Sequence, residues 1–229
     1  MTPSIPVDGA LGTTLQALGL PPNRPADAWV DLHPEQVRAV HAAFVQHGAR
    51  VVRTATLCSR GHPDRLARAV ELARSVHPDQ VWLSIGPAPP GQCATEGLEA
   101  VVDTHADRVL LETFVDPEAL TQAAAWLVER GLSVAASLVP GPEGLLSGKP
   151  YPTARLRHIG VDILGLNCGT DPHHALRAWE RFRDDGDWFV APAGGRGVAE
   201  VWQALNGRVT YLGGCCGISP ERWSSVWPS

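Results

Sequence analysis

Two adjacent cysteines near the end of the printed sequence carry the strongest chemical signal in the chain. Cys215 and Cys216 lie in the sequence GGCCG, directly after an apolar run. A third cysteine, Cys168, lies in the sequence NCG and also closes an apolar run. Three thiolates can bind one zinc ion and leave its fourth tetrahedral position open, which is typical of a catalytic rather than a structural site. We therefore expect a substrate atom at that fourth position.

Thiolate ligands restrict both the choice of metal ion and the reaction that the ion can support. Zinc suits an all-thiolate set, although soft sulfur ligands also admit copper(I), and an iron–sulfur cluster normally requires four cysteines. A zinc ion held by three thiolates is a poor Lewis acid for hydrolysis, but it lowers the pKa of an added substrate thiol while the sulfur stays nucleophilic. The cysteines therefore favour alkyl transfer to sulfur, with no catalytic residue beyond the zinc site. The structural alternative is a pair of buried thiols in a glycine-rich strand end.

The remaining cysteines do not indicate disulfide bonds. Five cysteines in 229 residues do not form a secreted disulfide framework, and clustered thiols in a reducing cytosol more often bind metal or act in catalysis. Cys58 and Cys93 each follow a predicted strand by a few residues, so they are expected near the mouth of the fold. We expect both to pack as buried or half-buried small apolar side chains.

Composition and charge exclude several classes of partner. The net charge is -5 and the basic residues are scattered, so neither nucleic-acid binding nor a polybasic membrane patch is indicated. The sequence has no uninterrupted apolar run of the length that a membrane span needs, and its first residues lack the pattern of a signal peptide. We expect a cytoplasmic protein whose partners are small molecules or another protein.

The elements that must position the cysteines alternate along the whole chain. Eight strands are predicted, at residues 5–8, 50–57, 81–85, 108–112, 133–138, 161–167, 188–191 and 208–213. Helical patterns lie between or after them, at residues 34–47, 63–77, 95–105, 117–130, 153–159, 172–183, 198–206 and 220–227. Proline after Asp116, Asp171 or Ser219 is typical of a first helical position.

This alternation predicts a compact (β/α)8 TIM barrel that forms a single α/β domain over residues 1–229. A doubly wound open sheet is the competing fold, but no Gly-x-Gly-x-x-Gly sequence follows the first strand. In a barrel, the active site lies at the carboxyl ends of the strands. The predicted strand ends carry polar or sulfur side chains: Asp8, Thr54, Thr56, Glu112, Asn167, Cys168, Cys215 and Cys216.

The barrel also explains how distant cysteines could meet. Cys168 closes the sixth strand and the pair closes the eighth, and these strands are near neighbours around the ring. Consecutive residues of a regular strand point to opposite faces. Cys215 and Cys216 can therefore reach one metal only if the eighth strand has already broken into a turn, which the flanking glycines permit.

Several motifs, taken in order, resemble the homocysteine S-methyltransferase family. They are DGALGTTL at residues 8–15, HPEQV at 33–37 followed by Val40 and His41, SIGP at 84–87, LET at 111–113, GLNC at 165–168 and GGCCGISPE at 213–221. The resemblance spans almost the whole chain, and the last two motifs are highly specific. It implies a (β/α)8 barrel that binds Zn2+ through Cys168, Cys215 and Cys216, with the sulfur of homocysteine as fourth ligand and methionine as product.

The resemblance also implies a set of substrate-binding residues. Asp8 and Glu112 match carboxylates that hold the amino-acid end of homocysteine, with help from Thr54 and from the backbone near Gly9. An ammonium group removed from water needs such anions. The residues themselves leave structural roles open, because Asp8 before a glycine suits a turn and Glu112 could pair with an arginine such as Arg53.

Departures from the family pattern leave the methyl donor open. The chain reads Thr54-Ala55-Thr56 where the family often has Thr-Asn-Thr, and the segments after the second and third strands are short. The simplest donors are S-methylmethionine and S-adenosylmethionine. Shortened loops would also leave room for a separate methyl-corrinoid protein. A third possibility is a homologue that binds zinc or thiols without catalysis.

Overall fold

A parallel eight-stranded barrel forms the centre of the molecule, in a computed structural model that describes residues 2–227. The barrel strands are β1 (Ile5–Pro6), β2 (Val51–Arg53), β3 (Gln80–Ile85), β4 (Arg108–Phe114), β5 (Val134–Leu138), β6 (Ile163–Cys168), β7 (Asp187–Pro192) and β8 (Tyr211–Leu212). A separate two-stranded hairpin, Pro140–Gly141 with Gly144–Leu145, follows β5. The predicted (β/α)8 fold is confirmed.

From β2 to β8, each barrel strand pairs with the next one in sequence. Strand β1 closes the ring by contacting both β8 and β2. Strand β1 pairs with β8 through Ile5 opposite Tyr211, and a bridge between Val7 and Val51 joins β1 to β2. Because all barrel pairs are parallel, every strand end with the same polarity meets at one face. The chain therefore brings the carboxyl ends of all eight strands to a common rim.

Nine helices within residues 2–227 surround or flank the barrel. They are α1 (Leu11–Ala17), α2 (Ala28–Leu32), α3 (Pro34–Gln46), α4 (Pro63–Arg74), α5 (Pro117–Val128), α6 (Thr153–His158), α7 (Pro172–Phe182), α8 (Val198–Leu205) and α9 (Pro220–Val226). As predicted, Asp116, Asp171 and Ser219 cap helices that begin with proline, and each side chain accepts a backbone N–H of the first turn. None of the helices in this range is long and apolar enough to cross a bilayer.

The helix predictions were wrong in two places. The segment predicted as a helix over residues 95–105 contains only a 3-10 turn at Leu98–Val101, which begins after Gly97 in the left-handed conformation. The long segment between β1 and α3 carries two short helices, α1 and α2, that were not predicted. Both helices have fewer than eight residues, too short for a clear hydrophobic period.

Three strands end earlier than predicted: the first ends at Pro6 instead of Asp8, and the second and the eighth lose more of their predicted length. The strand predicted over residues 50–57 ends at Arg53, and the chain turns through Thr54 and Thr56. The strand predicted over residues 208–213 is paired only at Tyr211–Leu212. In both cases the apolar run continues into residues that line the rim.

Strict alternation divides the strands between two cores. Trp82, Leu110 and Ile163 belong to a cluster inside the barrel, whereas Leu83, Leu111 and Leu164, one position later, pack among the helices. This is the period of two expected for a sheet that is buried on both faces. The interior is therefore filled with side chains and is not a channel.

The same alternation determines which residues face the barrel interior further toward the carboxyl end of each strand. Two positions beyond the interior apolar residues lie polar side chains, all buried: Arg53, Ser84, Glu112, Ser137 and, after the glycine of β6, Asn167. The barrel interior therefore changes from an apolar layer to a polar layer at the carboxyl ends of the strands. We call this polar layer the floor, because it lies at the bottom of the opening that the carboxyl ends of the strands surround.

Helix α3 carries a buried histidine that generates a pH-dependence of stability. His41 has no exposed surface, and neither ring nitrogen has a hydrogen-bond partner within the described residues. Burial lowers the pKa of His41 to about 4 from 6.5. The unfolded chain thus binds a proton more readily than the folded one, and the stability from neutral His41 is lost as the pH falls below 6.5.

We expect His41→Leu to remove this loss. Between pH 7.5 and 5.0, the free energy of unfolding should fall by about 2 kcal/mol less in the variant than in the wild type, as urea denaturation at both pH values would measure. His47→Leu changes an exposed histidine at the end of the same helix and should keep the wild-type pH-dependence. An equal fall in wild type and His41→Leu would contradict the assignment.

Candidate metal centre

Three cysteine sulfurs converge above the polar layer. The Sγ atoms of Cys168, Cys215 and Cys216 all lie within 4.8 Å of one another. Cys168 Sγ lies 3.7 Å from Cys216 Sγ. The predicted convergence of the sixth and eighth strands therefore occurs, and the sulfurs are close enough to share one ion.

A strained backbone turns Cys168 toward the other cysteines. Cys168 is the last residue of β6 and has φ 65°, in the left-handed region that non-glycine residues rarely adopt. Thr113, at the end of β4, has φ 62°. The Asn167 side chain ties the two positions together, accepting from the Thr113 backbone N–H at 3.0 Å and donating to Thr113 Oγ1 at 2.8 Å. Such strain persists only where the surroundings impose it, and it is common at functional sites.

The cysteine pair lies in a turn, as predicted. Strand β8 ends at Leu212, and the Ile218 N–H donates to the Cys215 carbonyl at 3.1 Å to close the turn. A Cβ atom on Gly214 would lie only 2.6 Å from Ile218 Cγ2, so the chain needs glycine there for a close approach. The Cys215 N–H donates to the Pro192 carbonyl at 2.9 Å, which anchors the turn to β7.

The sulfurs lie within hydrogen-bonding distance of one another, and Cys168 Sγ donates to Cys216 Sγ. Hydrogen bonds from Cys168 and Cys215 lower the pKa of Cys216, so this cysteine is the most readily ionised of the three. Cys215 is half-buried between the other two and also accepts a 3.8 Å contact from Asn167 Nδ2. Three soft sulfur donors at this spacing fit the ligand set that zinc takes in three-cysteine sites.

A pocket of about 340 Å³ opens above the sulfurs. The four residues predicted to bind substrate, Asp8, Gly9, Thr54 and Glu112, all line it together with the three cysteines. One wall comes from the segment between β1 and α2, which contributes Gln16, Arg24 and Asp27. The structure therefore brings all seven predicted site residues to one cavity.

The carboxylates in the pocket share a buried arginine that the sequence reasoning considered only as a structural alternative. Arg53 Nε donates to Asp8 Oδ1 at 2.7 Å, and Arg53 Nη1 donates to Glu112 Oε1 at 2.6 Å. Ser84 Oγ donates to the second oxygen of Glu112. Asp8 has no exposed surface and Glu112 is 8% exposed, so Glu112 is the carboxylate that a ligand can reach.

Burial and ion pairing have opposite effects on the pKa values of Asp8, Glu112 and Arg53. Burial raises the pKa of Asp8 to about 6, although Arg53 acts in the other direction. Burial also raises the pKa of Glu112 against the effect of Arg53. Burial lowers the pKa of Arg53, but the charges of Asp8 and Glu112 outweigh it and raise that pKa, so the arginine stays protonated.

The hydroxyl groups after β2 stabilise the rim. Thr54 Oγ1 lies 2.5 Å from Thr56 Oγ1, and Thr56 Oγ1 donates to the Ser84 carbonyl at 2.7 Å. Thr54 Oγ1 also accepts from the Ser84 N–H at 3.1 Å. Both threonines are buried, so they hold β2 against β3 at the edge of the pocket.

Sequence reasoning missed the polar floor and misplaced two cysteines. Ser84 and Ser137 were not named as site residues, Asn167 was named only as a strand end, and Arg53 only as a possible partner of Glu112. The signal that could have joined them into one layer is the alternation along their strands. Cys58 and Cys93 were expected to be buried or half-buried, but both are exposed, because they lie in turns beyond the strand ends. Cys58 does line the pocket.

One known family of proteins matches almost the whole chain. The family model described as "Homocysteine S-methyltransferase" matches residues 6–225. Betaine–homocysteine S-methyltransferase 1 of Mus musculus is 26% identical, over 82% of this chain and 62% of the relative. S-methylmethionine–homocysteine S-methyltransferase BHMT2 of Rattus norvegicus is 28% identical, over 82% of this chain and 67% of the relative.

A solved structure shares the fold. The homocysteine methyltransferase MmuM from Escherichia coli, in its metallated form, aligns with a TM-score of 0.81 over 97% of this chain and 95% of that chain. The two sequences are 22% identical, so this likeness concerns the fold. The chain spans about three fifths (62%) of the length of the mouse relative.

We expect the three cysteines to bind metal as a unit. Cys215→Ser removes one of three protein ligands and should reduce bound zinc from about one ion per chain to near none, as elemental analysis of dialysed protein would measure. Cys93→Ser is the matched control, because Cys93 is exposed and contacts only Thr95 Oγ1 through its sulfur. Full zinc occupancy in Cys215→Ser would contradict the ligand set.

Proposed function

The chain belongs to the homocysteine S-methyltransferase family, and we propose that it transfers a methyl group to the sulfur of homocysteine at a zinc ion held by Cys168, Cys215 and Cys216. The observation that carries this proposal is the placement of three cysteine sulfurs, within 4.8 Å of one another, at a pocket that also presents a carboxylate. When bound, zinc would lower the pKa of a coordinated thiol and keep its sulfur nucleophilic.

The pocket supplies the recognition of the acceptor. Glu112 is partly accessible beside Cys215, and it suits the α-ammonium group of homocysteine because opposite charges attract strongly in a site with little water. Asp8 also lines the pocket, but it has no exposed surface and its carboxylate is paired with Arg53, so it contributes charge more than direct contact. Thr54 and Gly9 complete the wall beside these carboxylates.

The donor that best suits this pocket is a small sulfonium compound, S-methylmethionine or S-adenosylmethionine. The lining side chains within the described chain include no aromatic ring, so the pocket lacks the aromatic cage that commonly binds a quaternary ammonium group such as that of betaine. The charged lining residues other than cysteine are three acids and two arginines, which gives a net charge of about -1 that attracts a cationic donor. Transfer of the methyl group then yields methionine.

A site built from free thiols functions best in a reducing compartment, so we place this reaction in the cytoplasm. One barrel carries every residue of the proposed site, and we propose residues 1–229 as a single homocysteine-binding domain. In the pocket, the acceptor lies closest to the sulfurs and the donor approaches from the open side.

Methionine formation tests the proposed reaction. Zinc-loaded protein should convert homocysteine to methionine with S-methylmethionine or S-adenosylmethionine, and much more slowly with betaine, as chromatography of the products would measure. Cys93→Ser should be active and Cys215→Ser inactive. Absence of methionine with all three donors from the zinc-loaded protein would refute the proposal.

We expect Glu112→Gln to weaken acceptor binding by removing a charge-assisted hydrogen bond, which raises the KM for homocysteine about tenfold or more. The KM for 4-mercaptobutanoate, which lacks the amino group, should change little if Glu112 binds that group. Glu118→Gln alters an exposed carboxylate paired with Arg155 and should leave both values unchanged. Equal increases in KM for the two thiols would contradict this role.

A further inference from the structure

Arg53 belongs to the polar layer, and its side chain forms hydrogen bonds to three different parts of the site. Strand pairing uses only backbone groups and does not require these contacts. The Arg53 side chain is only 6% exposed and lies inside the barrel, one step of the strand alternation beyond Val51. The ring of Phe189 lies beneath the guanidinium group, with its centroid 5.7 Å from Cζ. Arg53 is therefore held by an interior contact as well as by its hydrogen bonds.

The third nitrogen of Arg53 binds backbone rather than side chains. Nη2 donates to the carbonyl oxygens of Asp8 at 3.0 Å, Gly9 at 2.8 Å and Gly214 at 2.6 Å. Gly214 directly precedes Cys215, so the last of these contacts reaches the turn that carries two metal ligands. The guanidinium group thus joins the ends of β1 and β4 to the turn after β8.

Only the shape of arginine can make all of these contacts together. A guanidinium group presents its N–H donors in a rigid plane. Arg53 directs Nε to one carboxylate, Nη1 to the other, and the two N–H groups of Nη2 to three carbonyls, so that two of these carbonyls share one N–H. A lysine ammonium group has three donors at one point and cannot reach groups on opposite sides of the plane. The contacts therefore depend on geometry as well as on charge.

We infer that Arg53 is the positioning residue of this site, which couples the orientation of the substrate-binding carboxylate to the placement of the zinc ligands. Its contact with Gly214 holds the turn in which Cys215 faces Cys168. Its contact with Glu112 directs that carboxylate along the pocket wall. The first effect concerns metal binding alone, whereas the second rests on the proposed function.

The zinc affinity of Arg53→Lys tests the first effect without any methyl transfer. The variant keeps the positive charge but loses contacts, so its Kd for zinc should rise about tenfold or more, as competition with a chromophoric chelator would measure. Arg50→Lys is the matched control, because Arg50 lies just before the same strand and forms a 2.6 Å surface ion pair with Asp79. Its Kd for zinc should equal that of the wild type.

Kinetics at saturating zinc test the second effect. Arg53→Lys should raise the KM for homocysteine several-fold more than it lowers kcat, because Glu112 loses its fixed orientation while the zinc chemistry remains. If the lysine variant does not fold, Arg53→Gln keeps N–H donors in a planar group without charge, and the same rise in zinc Kd is expected. Circular dichroism melting checks that each variant is folded.

The possible outcomes separate this inference from the proposed function. A wild-type Kd for zinc and a wild-type KM in a folded Arg53→Lys variant overturn the inference, even if its melting temperature falls. Weaker zinc binding in the variant, with no methionine formed by the wild type, supports the role of Arg53 at the metal ligands and refutes the proposed reaction.

Discussion

The buried ion pairs of Arg53 with Asp8 and Glu112 are the interaction on which the site depends. Three charges lie inside the barrel, where each is costly to remove from water, and they are tolerated because each has a partner of opposite sign. Loss of one partner from such an arrangement typically costs about 3–5 kcal/mol. The barrel therefore contains a polar centre whose members constrain one another, and this centre lies directly beneath the cysteine sulfurs.

The apolar layer below makes that polar centre possible. Trp82, Leu110 and Phe189 belong to the apolar cluster that fills the barrel below the polar layer, so the polar layer packs on a dry apolar base. A substrate can then contact only the polar layer and the sulfurs, and water does not reach the ion pairs from below. The strained backbone at Cys168 and Thr113 belongs to the same design, because the side chain of Asn167 holds both strand ends while its amide contacts Cys215.

Sequence and structure agree most closely where the pattern is local. The alternation of short apolar runs with capped helices predicted the barrel, and the cysteine motifs at the strand ends predicted that three sulfurs converge, because each signal lies within a few neighbouring residues. The helix predicted over residues 95–105 was wrong because its capping and apolar spacing were weak, and tertiary contacts left only Leu98–Val101 in a 3-10 turn. The true ends of β2 and β8 also depended on contacts across the barrel.

The amino-acid sequence by itself determined the order of elements, the three cysteines and the carboxylates at the strand ends, since each follows from residue type and short-range spacing. Only the tertiary structure decided which charges meet. Arg53 and Glu112 are 59 positions apart and meet because β2, β3 and β4 are neighbours in the sheet. Arg53 and Gly214 are 161 positions apart and meet because the barrel closes between its first and last strands. Tertiary packing also decided that Asp8 has no exposed surface while Glu112 is 8% exposed, because exposure depends on the packing of the strand ends.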